Sequence, residues 1–168
     1  NPYPCEDAYI TFRFSRNLAE GFGPVFNPGE RVEGYSNPLW MAALALAEAA
    51  GLDMILVSQF AGGLFNTLAL FFIWYIPYRH FGARGSAGLL APLLYLLFLP
   101  FHFSATSGLE TSMYMFLILL CLHAVLWAGN RALPFLAAAF VFLLIALTRP
   151  EGIIFFVFLG GYLVWRRF

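Results

Sequence analysis

Asp7 stands beside Glu6 at the head of a stretch, Asp7-Ala-Tyr-Ile-Thr-Phe-Arg-Phe-Ser-Arg16, whose aromatic and basic residues recur at helical spacing. A carboxylate placed there can take a proton from an attacking hydroxyl, which is the work of a general base. The plainer reading is an acidic residue at a helix start, where the helix dipole favours negative charge. A second constellation is Asn27-Pro-Gly-Glu-Arg-Val-Glu-Gly-Tyr-Ser-Asn-Pro-Leu-Trp40. Its Pro and Gly alone would build a compact turn. Glu30, Arg31, Glu33, Tyr35 and Asn37 also give it hydrogen-bond donors and acceptors beside aromatic rings, the surface that sugar recognition requires.

Two more groups lie between apolar runs: Ser104-Ala-Thr-Ser-Gly-Leu-Glu-Thr111, with Glu110, and Thr148-Arg-Pro-Glu-Gly152, with Arg149 and Glu151. Charge at membrane depth is costly and marks function by default. The bland alternative is an ion pair of Arg149 with Glu110 or Glu151 that does nothing else. Arg149 is the candidate phosphate ligand, because a guanidinium grips phosphate oxygens with a planar fork. His80 and His102 are expected on opposite sides of the membrane and His123 within a span, so the three form no joint metal site. His102 alone reads as structural. Cys5 and Cys121 form no motif and are expected to stay unpaired. Gly62-Gly63 and Gly160-Gly161 read as close helix-packing points.

The elements that must position these residues are apolar helices. Of 168 residues, 61% are hydrophobic and only 11% are charged, with mean hydropathy +0.78. A soluble domain carries about a quarter charged residues to cover its surface, so lipid is the expected solvent. The nine basic residues, all Arg, balance nine acidic ones, which argues against nucleic acid as a partner. The expected fold class is all-α, a polytopic transmembrane helix bundle with two interfacial helices in the first extracytoplasmic loop. Residues 1–53 make that loop, with helices from Asp7 to Glu20 and from Pro38 to about Ala50. Residues 54–168 hold five apolar runs, at Met54–Tyr78, Ser86–Phe101, Gly108–Ala128, Ala132–Thr148 and Pro150–Trp165. Threading five spans from an outside start puts Arg79, Arg84, Arg131, Arg166 and Arg167 inside and the acidic first segment outside, as the positive-inside rule prefers. A further transmembrane helix is expected before Asn1, and more chain after Phe168.

Asp7 to Gly21 and Asn27 to Trp40 together resemble the C-type membrane glycosyltransferases, which use polyprenyl-phosphate sugars. Ser107-Gly-Leu-Glu-Thr111 and Leu147-Thr-Arg-Pro-Glu-Gly152 are similar to the later outer-face motifs of that group. The nearest branch is the bacterial arabinofuranosyltransferase-like one, with protein O-mannosyltransferases and aminoarabinose transferases more distant. The resemblance implies a catalytic carboxylate in the first extracytoplasmic loop, at a fixed distance before Arg16-Asn17, which selects Asp7. The preceding position is often Asp in the family; here it is Glu6, left as a helper or metal ligand.

The expected activity is inverting transfer of a sugar from a polyprenyl-phosphate donor to a hydroxyl of a glycan, lipid or protein acceptor. It would take place at the extracytoplasmic face of the cell (inner) membrane. Asp7 is the expected base. Arg149, Arg16, Glu33, Tyr35, Asn37, Glu110 and Glu151 are the expected donor-phosphate and substrate ligands. A divalent metal, Mg or Mn, is expected as an auxiliary, with Glu6 its candidate ligand. The rival reading is a transporter or binding subunit that holds a lipid-linked substrate without chemistry, and such a protein has no need of a base-bearing helix outside the membrane.

Overall fold

The computed structural model describes residues 4–30, 32, 34–128 and 132–165, and every described element is helical. Helix α1 (Glu6–Ala19) carries Glu6 and Asp7 in its first turn and Arg16 in its last, each at the end where the dipole favours it. Helix α2 (Pro38–Ala49) has its proline in the first turn, where a missing N–H costs nothing. Both begin and end within a residue or so of the sequence expectation. Asp53 caps α3 (Met54–Phe81), its Oδ1 accepting from the backbone N–H of Ile55 at 2.7 Å and of Leu56 at 3.2 Å. Gly82 ends α3 in the left-handed conformation, at φ 68°.

The second apolar run departs from expectation. It is two helices, α4 (Ser86–Leu97) and α5 (Leu99–Thr106), bent by 59° at the break. Pro100 explains the bend. It has no N–H to give the Leu96 carbonyl four residues back, and its ring crowds that carbonyl. The His102 ring takes up the freed oxygen, with Nε2 at 3.0 Å from it. Nε2 donates to that carbonyl, and on the other side of the ring Nδ1 lies 3.3 Å from the Asn66 amide nitrogen of α3, while the Tyr95 hydroxyl donates to Asn66 Oδ1. His102 is therefore structural, as expected, and a polar relay ties the broken helix to α3. In lipid such a relay replaces the water that would otherwise satisfy a broken backbone.

Helices α6 (Thr111–Ala128), α7 (Ala132–Thr148) and α8 (Gly152–Trp165) complete the chain. Helix α6 packs against α3 on one side and α7 on the other; α4 and α5 lie on α3, and α8 on α7. Helix α2 touches both α3 and α7, so the α1–α2 pair covers that end of the row. The core joins Ala8, Phe12, Trp40 and Leu44 of this cover to Leu117, Val125, Val141 and Ile145 of the bundle. Outward-facing Leu56, Phe60, Leu97, Leu133 and Phe158 are well exposed, an apolar surface far beyond what a water-soluble monomer tolerates. By length and composition α3 and α6 can each cross a membrane, whereas α4 and α5 reach that length and hydropathy only together, as a bent pair. Helices α7 and α8, at 17 and 14 residues, are shorter than α3 with its 28. At the end away from α1 and α2, His80 Nε2 and His123 Nδ1 lie 3.0 Å apart. The sequence reading set His123 within a span and His80 beyond one, and the fold brings the two rings together. They remain a pair: no group of three or more His, Cys, Asp or Glu gathers among the described residues. Cys5 and Cys121 are free thiols.

The expected glycine contacts divide. A Cβ on Gly62 would sit 2.1 Å from the Ala105 carbonyl oxygen, so α3 and α5 touch backbone to backbone there. Gly63 and Gly161 have open space where a Cβ would go and are not packing points. Gly62→Ala should therefore separate α3 from α5 and lower stability by about 1–3 kcal/mol, whereas Gly63→Ala should leave it unchanged. Thermal unfolding of the two variants in detergent, compared with the parent, checks this; equal midpoints for all three would show that the helices do not meet at Gly62.

Candidate functional site

The polar site is built where α1 and α2 close over the ends of α6 and α7. The Cys5 N–H donates to the Ser107 carbonyl at 2.9 Å, and the Trp40 indole N–H donates to the Gly108 carbonyl at 3.0 Å. Gly108 is required twice over. Its φ of +83° favours glycine, and a Cβ would come within 3.1–3.2 Å of Ala8, Phe12 and Pro4. The start of α1 and the start of α2 are thus both fastened to the loop before Glu110.

Glu110 is the centre of this arrangement, with 4% of its surface exposed. Its Oε2 accepts from the Asn37 amide at 2.8 Å and its Oε1 from Arg149 Nε at 2.7 Å. Asn37 also donates to Thr11 Oγ1 of α1 at 3.1 Å. Arg149 reaches Thr111 Oγ1 at 3.3 Å through Nη2 and lies 5.8 Å from the centre of the Tyr114 ring. A polar chain Thr11–Asn37–Glu110–Arg149 therefore crosses from α1, over the α2 cap, through the bundle end, to the α7–α8 corner. Asn37 Oδ1 is buried with no hydrogen-bond partner among the described residues, so one acceptor in this chain is left over.

Asp7 is exposed in the first turn of α1. It lies four residues, about one helical turn, before Thr11, so it shares that side chain's face and flanks the polar chain. Glu6 is exposed on a different face, the one that carries Ile10 and Arg13. Glu6 and Asp7 are the two carboxylates at this helix start, and no group of three or more His, Cys, Asp or Glu gathers among the described residues. Arg149 resolves the ion-pair alternative in favour of Glu110 over Glu151, which is exposed beside it. Because Nε and Nη2 are engaged and the side chain is one-third exposed, the Nη1 edge of the fork points away from those two bonds.

The remaining expected ligands lie apart from this chain. Arg16 pairs with Glu48 of α2 at 3.0 Å. Tyr35 packs edge-on against Phe14, with ring centres 5.2 Å apart, and braces the loop between α1 and α2. Glu33 and Arg31 lie outside the described residues. The loop is held further by Asn17, whose amide donates to the carbonyls of Val25 and Phe26 at 2.7 and 2.9 Å. Three participants were missed by the sequence reading. Thr11 was visible only as the residue one turn after Asp7, Trp40 only as the end of a motif, and Glu48 only as the lone acid in an apolar helix.

No family model matches this chain, and no solved structure does. It is 33% identical to the terminal beta-(1->2)-arabinofuranosyltransferase of Mycobacterium tuberculosis over 182 aligned positions, which cover 97% of this chain and 29% of that protein. It is 36% identical to the protein of the same name from Corynebacterium glutamicum over 130 positions, 74% of this chain and 19% of the relative. The chain thus spans less than a third of the length of either relative.

Removing either end of the Glu110–Arg149 contact should cost more than its share. Glu110→Gln and Arg149→Met are each expected to lower the unfolding midpoint, and the double variant to fall no further than the worse single one. That pattern corresponds to a coupling of about 1–3 kcal/mol. Additive losses across the four proteins would show that the two side chains act independently.

Proposed function

Because this chain is an arabinofuranosyltransferase-like membrane sequence, we propose that it supplies the catalytic end of an integral membrane glycosyltransferase. The donor is a polyprenyl-phosphate-linked sugar, and the acceptor is a hydroxyl of a glycan, lipid or protein. The observation that carries the reading is the polar chain Thr11–Asn37–Glu110–Arg149, which joins the base-bearing helix to the one cation of the α7–α8 corner.

The acceptor oxygen attacks the anomeric carbon and its proton passes to the Asp7 carboxylate. The bond from the anomeric carbon to the phosphate oxygen breaks on the opposite face, so configuration inverts, and polyprenyl phosphate leaves with one more negative charge. Arg149 meets that growing charge through the edge of its fork not bound to Glu110. Glu110 and Asn37 hold it in place beforehand, which is what makes an electrostatic contribution effective in the transition state. The polyprenyl tail lies along the apolar faces of the bundle, so the membrane itself presents the donor.

Two observations bear on the rival reading of a transporter or binding subunit. The Glu110–Arg149 pair suits it as well as it suits catalysis, whereas an exposed Asp7 has no part in it. Asp7→Asn keeps shape but removes basicity, so turnover by the full-length protein should fall by about 10² or more, while donor binding persists. Glu6→Gln should be milder. Arg149→Lys keeps the charge without the fork and should weaken donor binding. Near-normal turnover in Asp7→Asn with loss in Glu6→Gln would move the base to Glu6, and full activity of both would favour the rival.

The active face is proposed to be extracytoplasmic, because Arg79 and Arg84 lie at the end of the bundle away from the site. Cys5 should then be reached in intact cells by a membrane-impermeant thiol reagent in a Cys121→Ser background. Labelling that appears only in permeabilised cells would reverse the orientation.

A further inference from the structure

A cavity of about 670 Å³ opens on the flank of α1 away from the polar chain, between α1 and the corner where α2 turns into α3. Its walls combine Tyr9, Phe12, Arg13 and Arg16 of α1 with Glu48 of α2 and the Gly51–Ile55 corner. Asp7 does not line it. We propose that this cavity is a subsite for a neutral oligosaccharide, the part of an acceptor remote from its reacting hydroxyl; the proposal rests on the glycosyl-transfer reading above.

The charge content points to a neutral ligand. Two guanidinium groups, of Arg13 and Arg16, face two carboxylates, of Glu48 and Asp53, so the walls carry no excess of either sign. An anionic headgroup or phosphate would meet as much repulsion as attraction. The polar groups are also already oriented. Arg16 Nε is fixed on Glu48 Oε1 at 3.0 Å and Arg13 Nε on the Phe26 carbonyl at 3.1 Å, and Asp53 Oδ1 is engaged by the α3 backbone. Each guanidinium still has its Nη donors, and Glu48 has a second oxygen. Planar donors and acceptors side by side match the paired hydroxyls of a sugar ring.

The apolar half of the wall matches the C–H faces. Tyr9 is 45% exposed and packs edge-on against Phe12 at 5.6 Å, and Leu52 and Ile55 line the opposite side. The position suits a ligand of several linked rings. Arg13 and Arg16 follow Asp7 by six and nine positions along α1, about 9–14 Å at about 1.5 Å per residue. The cavity and Asp7 also lie on opposite sides of the helix, so only a chain of several rings that runs along α1 and around it can bring its end to Asp7. Binding energy gained so far from the reacting centre can be used to orient it.

The test measures binding of an arabinofuranose pentasaccharide to the full-length protein in lipid nanodiscs, by calorimetry and with no donor present. Binding is expected, and Leu52→Trp, which fills the cavity from an exposed position, should weaken it about tenfold or more. Arg16→Met should weaken it similarly by removing the oriented donors. No binding, unchanged affinity in both variants, or equal competition by glycerol phosphate would overturn the subsite. Asp7→Asn should bind the pentasaccharide as the parent does. Binding with no transfer by the parent protein when donor is supplied would leave the subsite standing and remove the transfer reading. Transfer with unaltered binding in Leu52→Trp and Arg16→Met would do the reverse.

Discussion

A carboxylate removed from water must be paired and hydrogen-bonded, or it becomes neutral or moves. Glu110 meets that demand with one ligand from each of two distant segments, the Asn37 amide and the Arg149 guanidinium. The rest of the site follows from it. Asn37 can reach Glu110 only if α2 starts directly above the end of α6, and the Trp40 bond to the Gly108 carbonyl fixes that start. Thr11 can reach Asn37 only if α1 lies against α2, and Ser15 fastens that pairing by donating to the Met41 carbonyl at 2.9 Å. Charge, register and helix placement are thus one constraint. Removing one member leaves the other buried groups without partners, the costly half of the hydrogen-bond asymmetry.

Much of this was legible in the residues. Capping and turn signals gave α1 and α2 their boundaries, because Pro38 and the Gly-rich segment after Ala19 act locally. The pairing of Arg149 with an acid of its own face was also accessible, since few charges exist at that end. Other features depend on distance in space and were hidden. Whether Arg149 chose Glu110 or Glu151 is decided by burial, which no local pattern reports. Gly62 and Gly63 are identical neighbours in sequence, yet only Gly62 turns toward Ala105. The break at Phe98 was signalled by Pro100, but hydropathy alone averages across it, and the rescue of the Leu96 carbonyl by His102 needs the third dimension.

The site residues show the same division. Asp7 was selected from its place in a motif, and the helix sets it one turn before Thr11. Arg16 was grouped with Arg149 as a ligand of the same substrate. The two are in fact on different flanks of α1 and hold different partners, Glu48 and Glu110. A basic residue in a motif carries its chemistry in the sequence, but the direction in which a helix turns it is set by packing.

The separation of the latch along the chain has a consequence for biogenesis. Asn37 and Glu110 lie 73 residues apart, and Arg149 comes 39 residues after Glu110. At a synthesis rate of roughly 5–20 residues per second, the first loop is made many seconds before its final partner exists. Until Ser107 and Gly108 are made, α1 and α2 have only each other and the membrane surface, and Glu110 emerges before the cation that satisfies it. The cover can then fasten to the Ser107–Gly108 loop, but the buried carboxylate gains its cation only after α7 has been delivered. A chain arrested before Arg149 is translated would carry Asp7 on a helix tied to that loop, above a Glu110 still without its counter-charge.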